Sequence, residues 1–240
     1  MAVENGEWIL HGTAWDSPER IRSWRELIDY VDRVGFLPLF QNEVKGFSVE
    51  EKTSPLFWWT GDPEQDPWEW RAIVARSGRV AYGKFFNKKA GFISLEWFPW
   101  FANYRRDGYD FDARWEDGLA GYRSKKIMDL FEAREEYASH ELKKEAGFGK
   151  GGEKNFSGIV TELQMQTYLV TKDFRQKRNR KGQAYGMAAS VYAAPEALWG
   201  YELVSSAYRE APEKSFQRIL DHVRELYPET DEKQLRKVCG

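Results

Sequence analysis

Apolar residues recur at helical spacing in the first and last parts of this chain. Between Ser17 and Val34 they stand at positions 21, 24, 27, 28 and 31. Ser17 is a suitable N-cap, and Gly35 follows the last apolar position. The spacing therefore predicts a helix over this segment, a second from Glu213 to Leu226, and a short one over 231–238.

Two segments before residue 105 have the pattern of extended chain. The run FLPLF at 36–40 is apolar and contains a proline, which favours a short strand. Residues 79–104 hold two apolar and aromatic runs on either side of the polar tripeptide 87–89, which predicts a β-hairpin. The second run is expected to pass into a helix near Leu95.

The middle of the chain predicts three helices in succession. Gly121 to Arg134 is amphipathic, and Ser139 is expected to cap a short helix that Gly147 ends. Apolar residues at 156, 159, 160 and 163 mark the third helix at i, i+3, i+4 and i+7.

Two strand-like runs, 168–174 and 184–192, follow these helices and are joined by a long basic segment. Three helices and then a hairpin is the order of a winged helix-turn-helix. We therefore predict an α+β protein with a winged helix-turn-helix core at 119–195. An aromatic-rich N-terminal α/β region at 1–118 and a C-terminal helical segment at 196–240 flank this core.

Composition excludes several classes of protein. The 240 residues are 31% charged, and no run approaches the roughly 18 apolar residues that a membrane span requires. With one cysteine, Cys239, and three scattered histidines, we expect no disulfides, no metal site and no cofactor. The N-terminus lacks the apolar core of a secretion signal, so a cytoplasmic protein is expected.

Charge is distributed unevenly along the chain. The net charge is −2, but residues 120–195 hold 14 Lys and Arg against 9 Asp and Glu. Six of these cations fall within ten residues, where the single acid is Asp173. These cations are Lys172, Arg175, Lys177, Arg178, Arg180 and Lys181.

At the tip of a two-stranded ribbon, such a cluster would reach phosphates of double-stranded DNA. Lys154 and Asn155 stand at the start of the third helix, which in a winged helix enters the DNA groove. We predict that these eight residues bind nucleic acid. The alternative is that the basic run is a solvated loop.

Gln164 and Gln166 lie where the third helix meets the first wing strand. Two residues apart on a helix they point in nearly opposite directions, whereas in extended chain they share a face. They can converge only if the helix ends near Leu163. A glutamine carbonyl can orient a water, and its amide can donate to a base edge. The alternative is that both are surface or capping residues.

Eleven tryptophans are many for this length. Most are expected to anchor the core, because large aromatic side chains are usually buried. Some of Trp58, Trp59, Trp68 and Trp70 could instead pack against DNA.

Three segments resemble one known family. The sequences TELQMQTYLV, VAYGKFFNKKAGFISLEWFPWF and YRRDG are similar to those of the AlkZ-related proteins, short relatives of AlkZ-type winged-helix DNA glycosylases, and the similarity covers about residues 20–200. In that superfamily, a Gln-x-Gln motif positions the catalytic water, and winged helices cradle DNA with alkylated or crosslinked bases. The resemblance implies that Gln164 and Gln166 are the catalytic pair.

The leading hypothesis is therefore a DNA-binding protein similar to a base-excision glycosylase, acting on alkylated bases with a water positioned by glutamine. A non-catalytic winged-helix DNA-binding protein or regulator is the alternative. A third possibility is a winged helix whose basic tip contacts an acidic protein.

Overall fold

The structure, a computed structural model, describes residues 2–4, 7–179 and 181–240. It is an α+β fold in which short antiparallel sheets are surrounded by helices. Every helix among these residues is too short or too polar to cross a membrane. Within them, no group of three His, Cys, Asp or Glu side chains gathers as metal ligands would.

The N-terminal part is built around a three-stranded antiparallel sheet with the strand order β3-β5-β4. Its elements are the strands β1 (Ala2–Glu4), β2 (Glu7–Ile9), β3 (Phe36–Pro38), β4 (Val80–Phe86) and β5 (Lys89–Ser94), and the helices α1 (Trp24–Val34), α2 (Val49–Lys52), α3 (Pro67–Ser77) and α4 (Phe98–Arg106). The predicted hairpin is confirmed as β4 and β5. Its turn residues Asn87 and Lys88 have φ values of 46° and 64°, as expected of a tight hairpin turn.

The predicted start of the first helix is wrong by six residues, since the N-cap is Ser23 and not Ser17. α1 begins at Trp24, and its N-cap is Ser23, whose hydroxyl accepts from the Glu26 N–H. The segment before α1 is not helical, because the Ile21 N–H donates to the Lys52 carbonyl at the end of α2. This tertiary hydrogen bond thus outweighs the local preference for a helix N-cap at Ser17. The end at Gly35 is confirmed.

The middle part carries a second three-stranded antiparallel sheet with the strand order β6-β8-β7. Its elements are α5 (Phe111–Glu116), α6 (Tyr122–Met128), α7 (Leu130–Ala133), β6 (Glu136–Ala138), α8 (Ser139–Glu145), α9 (Phe156–Met165), β7 (Val170–Arg175) and β8 (Ala189–Ala193). The third helix and the strand pair after it are confirmed as α9, β7 and β8, although β8 begins at Ala189, five residues after the predicted start. The predicted helix from Gly121 to Arg134 is interrupted at Asp129, and the three-residue strand β6 was too short to leave a sequence pattern.

Short helices form the C-terminal part. They are α10 (Pro195–Trp199), α11 (Tyr201–Val204), α12 (Pro212–Leu226) and α13 (Glu232–Cys239). The predictions for α12 and α13 are confirmed to within a residue or two. α12 packs along α4, where the Asn103 amide donates to the Ser215 hydroxyl and Tyr104 stacks on Phe216 at 4.1 Å.

Buried apolar residues form two clusters. The larger joins the N-terminal sheet and its helices to α12 and α13, with Phe36, Trp70 and Leu220 fully buried. The smaller lies among α6, α8 and α9 and includes Leu142 and Leu163. Strand β7 contributes Val170 to the larger cluster, so it links the two parts of the protein.

Candidate functional site

Three distant segments meet at the C-terminal end of α9. From β4, the Lys84 N–H donates to the Gln164 Oε1 at 3.1 Å. From α4, the Arg106 guanidinium donates to the carbonyl of Thr167, just after the helix, at 2.7 Å. These are the segments that carry the resemblance described above, and the tertiary fold brings them to one place.

Gln164 is held firmly at this junction. Its side chain is only 2% exposed. The Oε1 accepts from the Lys84 N–H and from the Thr171 hydroxyl at 3.3 Å, and the Nε2 donates to the Val160 carbonyl at 3.3 Å. Both acceptor positions of the amide oxygen are therefore occupied, while one Nε2 hydrogen remains for a ligand.

Gln166 lies on a different side of the helix end. α9 continues to Met165, beyond Leu163, and the Gln166 N–H still donates to the Glu162 carbonyl in helical geometry. At 3.6 residues per turn, the two glutamine side chains leave the helix roughly 200° apart. Gln166 is half-buried and is not among the residues that line the cleft beside Gln164. The structure does not bring the two amides together.

A cleft of about 220 Å³ opens beside Gln164, between the two sheets and α3. Aromatic rings dominate its walls, and the polar groups that accompany them are mostly hydrogen-bond donors. The aromatic residues are Phe40, Trp68, Tyr82, Phe174 and Tyr192. The polar residues are Arg71, Lys84, Gln164, Thr171 and Ser190. A cavity of this kind suits a flat ring with polar edges.

Arg71 brings a positive charge to the aromatic wall of this cleft. Its guanidinium carbon lies 3.1 Å from the centroid of the Trp68 ring and 4.9 Å from that of Phe174, and its Nε donates to the Trp68 carbonyl at 2.5 Å. Burial lowers the pKa of Arg71, and the neighbouring Tyr82 hydroxyl opposes that shift. Burial also raises the pKa of Tyr82, so its hydroxyl stays protonated and can donate.

A groove of about 720 Å³ runs along the exposed side of α9, between the helix and the β4–β5 hairpin. Lys84 and Lys88 of the hairpin face Asn155 and Thr161 of the helix, and Glu162 also lines this groove. The Lys84 ammonium donates to the Thr161 hydroxyl at 3.3 Å. Lys84 lines both groove and cleft, so the two cavities adjoin.

Two of the cations predicted to bind phosphates are paired within the protein. Lys172 and Arg175 both bind the Glu136 carboxylate, at 2.6 and 2.7 Å. The two hydrogen bonds hold the pKa of Glu136 below its usual value. The first strand of the sheet thus neutralises part of the predicted phosphate-binding cluster.

The remaining predicted nucleic-acid residues are more accessible. Arg178 and Lys181 are exposed in the segment between β7 and β8, where the Arg178 Nη1 donates to the Gly182 carbonyl at 2.8 Å, and Lys177 is half-buried. Arg180 lies outside the described residues. Lys154 and Asn155 are both exposed at the start of α9.

Arg106 is a buried residue that the sequence analysis did not single out. It is 1% exposed, pairs with Glu196, and donates to the Tyr208 hydroxyl at 3.0 Å. It also donates to the Thr167 carbonyl and hydroxyl. The segment YRRDG contains Arg106, so the resemblance marked this residue without giving it a role.

The four tryptophans considered as DNA contacts separate into two groups. Trp58 and Trp70 are buried in the larger core, at 5% and 0% exposure. Trp59 is 48% exposed, and Trp68 lines the cleft. Only the second pair is accessible to a ligand.

Comparison with known proteins gives one match. A protein-family model described as AlkZ related matches residues 21–240. The match includes the C-terminal helices, beyond the segment over which resemblance was expected. No curated protein and no solved structure matches the chain.

Proposed function

The chain belongs to the AlkZ-related family, and from this premise we propose that it binds double-stranded DNA and holds an unstacked base in the aromatic cleft beside Gln164. The function is thus of the kind performed by base-excision DNA glycosylases. The observation that carries the proposal is the position of Lys84, which lines both the groove along α9 and the cleft.

The connectivity of residues 119–195 supports a winged helix. α8 and α9 follow one another through the loop 146–155, which is longer than the turn of a standard helix-turn-helix, and β7 and β8 then form a hairpin that corresponds to a wing. In this arrangement α9 is the helix that approaches the DNA groove. The pairing of β6 with β8 completes the small sheet behind it.

We assign phosphate contacts to cationic and amide side chains around α9. Lys154 and Asn155 stand at its start, and Lys84 and Lys88 border it from the hairpin. Further phosphate contacts are proposed for four cations of the wing, which are Lys177, Arg178, Arg180 and Lys181. Lys172 and Arg175 also contact phosphates once their ion pairs with Glu136 break. Each such contact adds an affinity term that depends on salt and not on sequence.

The cleft has the properties of a pocket for a base turned out of the duplex. Enzymes that act on bases stack the extruded ring between aromatic or apolar side chains and read its edge with hydrogen bonds. Here Trp68, Phe174 and Tyr192 supply rings, and the free Nε2 hydrogen of Gln164 supplies an edge contact.

The chemistry implied by the family is hydrolysis of the N-glycosidic bond. A water held by Gln164 and Gln166 would add to the sugar C1′ as the bond to the base breaks. The base leaves with the electron pair of that bond, and the proton of the water passes to solvent. This requires the end of α9 to rearrange so that Gln166 turns toward the cleft.

The second candidate function is DNA binding without chemistry. The hydrogen bonds to Gln164 favour it, because its oxygen already accepts from Lys84 and Thr171 and has no position left for a water. In this case the cleft recognises a base and leaves it attached.

A base-release assay on alkylated duplex DNA, combined with binding measured over a range of salt concentrations, tests the proposal. A glycosylase releases free base and loses this activity with Gln164→Ala or Gln166→Ala while still binding DNA. Gln217→Ala, a change to an exposed glutamine on α12, serves as the control.

Salt-dependent binding by the folded protein without base release would establish the second candidate. Binding that is absent, or that does not weaken as salt rises, would contradict both, since both depend on phosphate contacts.

A further inference from the structure

The polar groups of the cleft beside Gln164 include several hydrogen-bond donors. The amide oxygen of Gln164 is occupied by Lys84 and Thr171, so this side chain offers an Nε2 hydrogen, and the Arg71 guanidinium adds further N–H groups. The Tyr82 hydroxyl is hydrogen-bonded to Arg71, and the Tyr192 hydroxyl to Ser190, and such hydroxyl groups can both donate and accept. Among the described residues that line the cleft, none is Asp or Glu.

Arg71 places a fixed positive charge in this cleft. Its guanidinium is in cation–π contact with the Trp68 ring and lies near the Phe174 ring, with centroid distances of 3.1 and 4.9 Å. Within the part of the chain that the structure describes, no carboxylate forms a salt bridge with it. Asp66 and Glu69, on the same helix, act on Arg71 through space only, and neither lines the cleft.

The Asp66 carboxylate is engaged elsewhere. It accepts from the N–H groups of Trp59, Gly61 and Trp68 and so caps the start of α3. It cannot turn to neutralise a cation in the cleft without releasing these bonds. The charge that a bound ring meets is therefore positive.

We propose that the cleft selects a neutral or anionic planar heterocycle whose edge carries carbonyl oxygens, such as an oxopurine, and rejects a cationic ring. This proposal rests on the proposed function in one respect, which is that the cleft is the binding site of a base. It narrows the expected alkylated bases to those whose ring stays uncharged, because many N-alkylated purine nucleosides are cations.

The preference arises because the N–H and O–H groups of the cleft attract carbonyl oxygens, whereas the Arg71 charge repels a cationic ring. Carbonyl oxygens of an oxopurine accept from Arg71, Tyr82 and the Gln164 amide. A cationic ring in the same place faces a partly desolvated guanidinium, and like charges that approach closely oppose binding strongly. We expect at least about a tenfold difference in Kd between the two classes, which corresponds to about 1.4 kcal/mol.

Titration calorimetry of the full chain with purine nucleosides of matched size tests this directly. The probes are inosine, which is neutral, xanthosine, which is an anion in mildly alkaline buffer, and 1-methyladenosine, which is a cation. Inosine and xanthosine are expected to bind at least about tenfold more tightly than 1-methyladenosine. Equal binding of all three probes, tighter binding of the cation, or no binding of any of them would overturn the proposal.

Substitution of Arg71 identifies the source of the preference. Arg71→Gln keeps hydrogen-bonding capacity without charge and should bring the Kd of 1-methyladenosine to that of inosine. Arg71→Lys keeps the charge and should retain the preference, which also provides a second variant if Arg71→Gln does not fold. Arg33→Gln, at an exposed site on α1, should leave all three affinities unchanged.

The nucleoside titration does not involve DNA, so its outcome is separable from that of the proposed function. Selective nucleoside binding by a protein that ignores duplex DNA would contradict the proposed function and support the cleft chemistry. Salt-dependent DNA binding without any nucleoside selectivity would contradict the cleft chemistry alone.

Discussion

Arg106 of α4 holds Thr167, two residues beyond the end of α9, through two hydrogen bonds. Its Nη2 donates to the Thr167 carbonyl at 2.7 Å and its Nε to the Thr167 hydroxyl at 3.2 Å. Thr167 has a φ of 64°, a left-handed conformation that is unfavourable for a β-branched residue. The buried guanidinium therefore stabilises a strained turn directly after the two glutamines.

Arg106→Ala should destabilise the protein by about 3–5 kcal/mol, because it leaves the partly buried Glu196 without its partner and releases the turn. Thr167→Gly loses the hydroxyl contact but relieves the backbone strain, so its cost should stay below about 1 kcal/mol. Urea unfolding followed by tryptophan fluorescence measures both. If Arg106→Ala destabilises the protein no more than Thr167→Gly does, the pairing of Arg106 with Glu196 and its hold on the turn do not contribute to stability.

The two glutamines should respond differently to truncation. Gln164→Ala leaves the Lys84 N–H and the Thr171 hydroxyl without their acceptor and should cost about 1–3 kcal/mol. Gln166→Ala, at a half-buried site, should change the free energy of unfolding by less than about 0.5 kcal/mol. Thermal and urea unfolding of both variants checks this. A similar loss in both would mean that Gln166 has a buried partner when the protein is in solution.

Glu136 should limit the DNA affinity of the wing. Glu136→Gln weakens the pairing that holds Lys172 and Arg175, so both become available to phosphates. Binding should tighten, and the slope of log K against log salt should steepen by up to about 2, close to one unit per added phosphate contact. Glu229→Gln, an exposed change of equal charge near the C-terminus, is the control. If both variants have the same slope, the two strand cations do not contact DNA.

The same carboxylate should make stability depend on pH. Its pKa is lowered in the folded protein by Lys172 and then Arg175, so the stabilisation is present above the unfolded value of about 4.3 and is lost as pH falls through the folded value. Wild-type protein should exceed Glu136→Gln in unfolding free energy by up to about 1 kcal/mol near neutral pH, since the pair is partly exposed. Urea titrations from neutral pH down to below the unfolded value should show the difference shrinking. A difference that does not vary with pH would exclude this ion pair as its cause.

Elements with a regular local pattern were accessible from the sequence. α9 and α12 have apolar residues at helical spacing, and the β4–β5 hairpin has a polar turn between two apolar runs. Such patterns reflect local burial on one face of one element, so a single segment contains the information. The start of α1 was missed because a hydrogen bond from Ile21 to the distant Lys52 decides it.

The sequence by itself therefore determined the longer helices, the two hairpins, the α+β class, the excess of positive charge in the middle third, and the segments that mark the family. It did not determine which side chains meet. Glu136 reaches Lys172 across 36 residues, Arg106 reaches Thr167 across 61, and the Lys84 backbone reaches Gln164 across 80. These contacts arise when helices and sheets pack against one another, and packing depends on the shape of the whole core. Only the tertiary structure decided that part of the basic cluster is neutralised, that the two glutamines diverge, and that an aromatic cleft carrying Arg71 opens beside one of them.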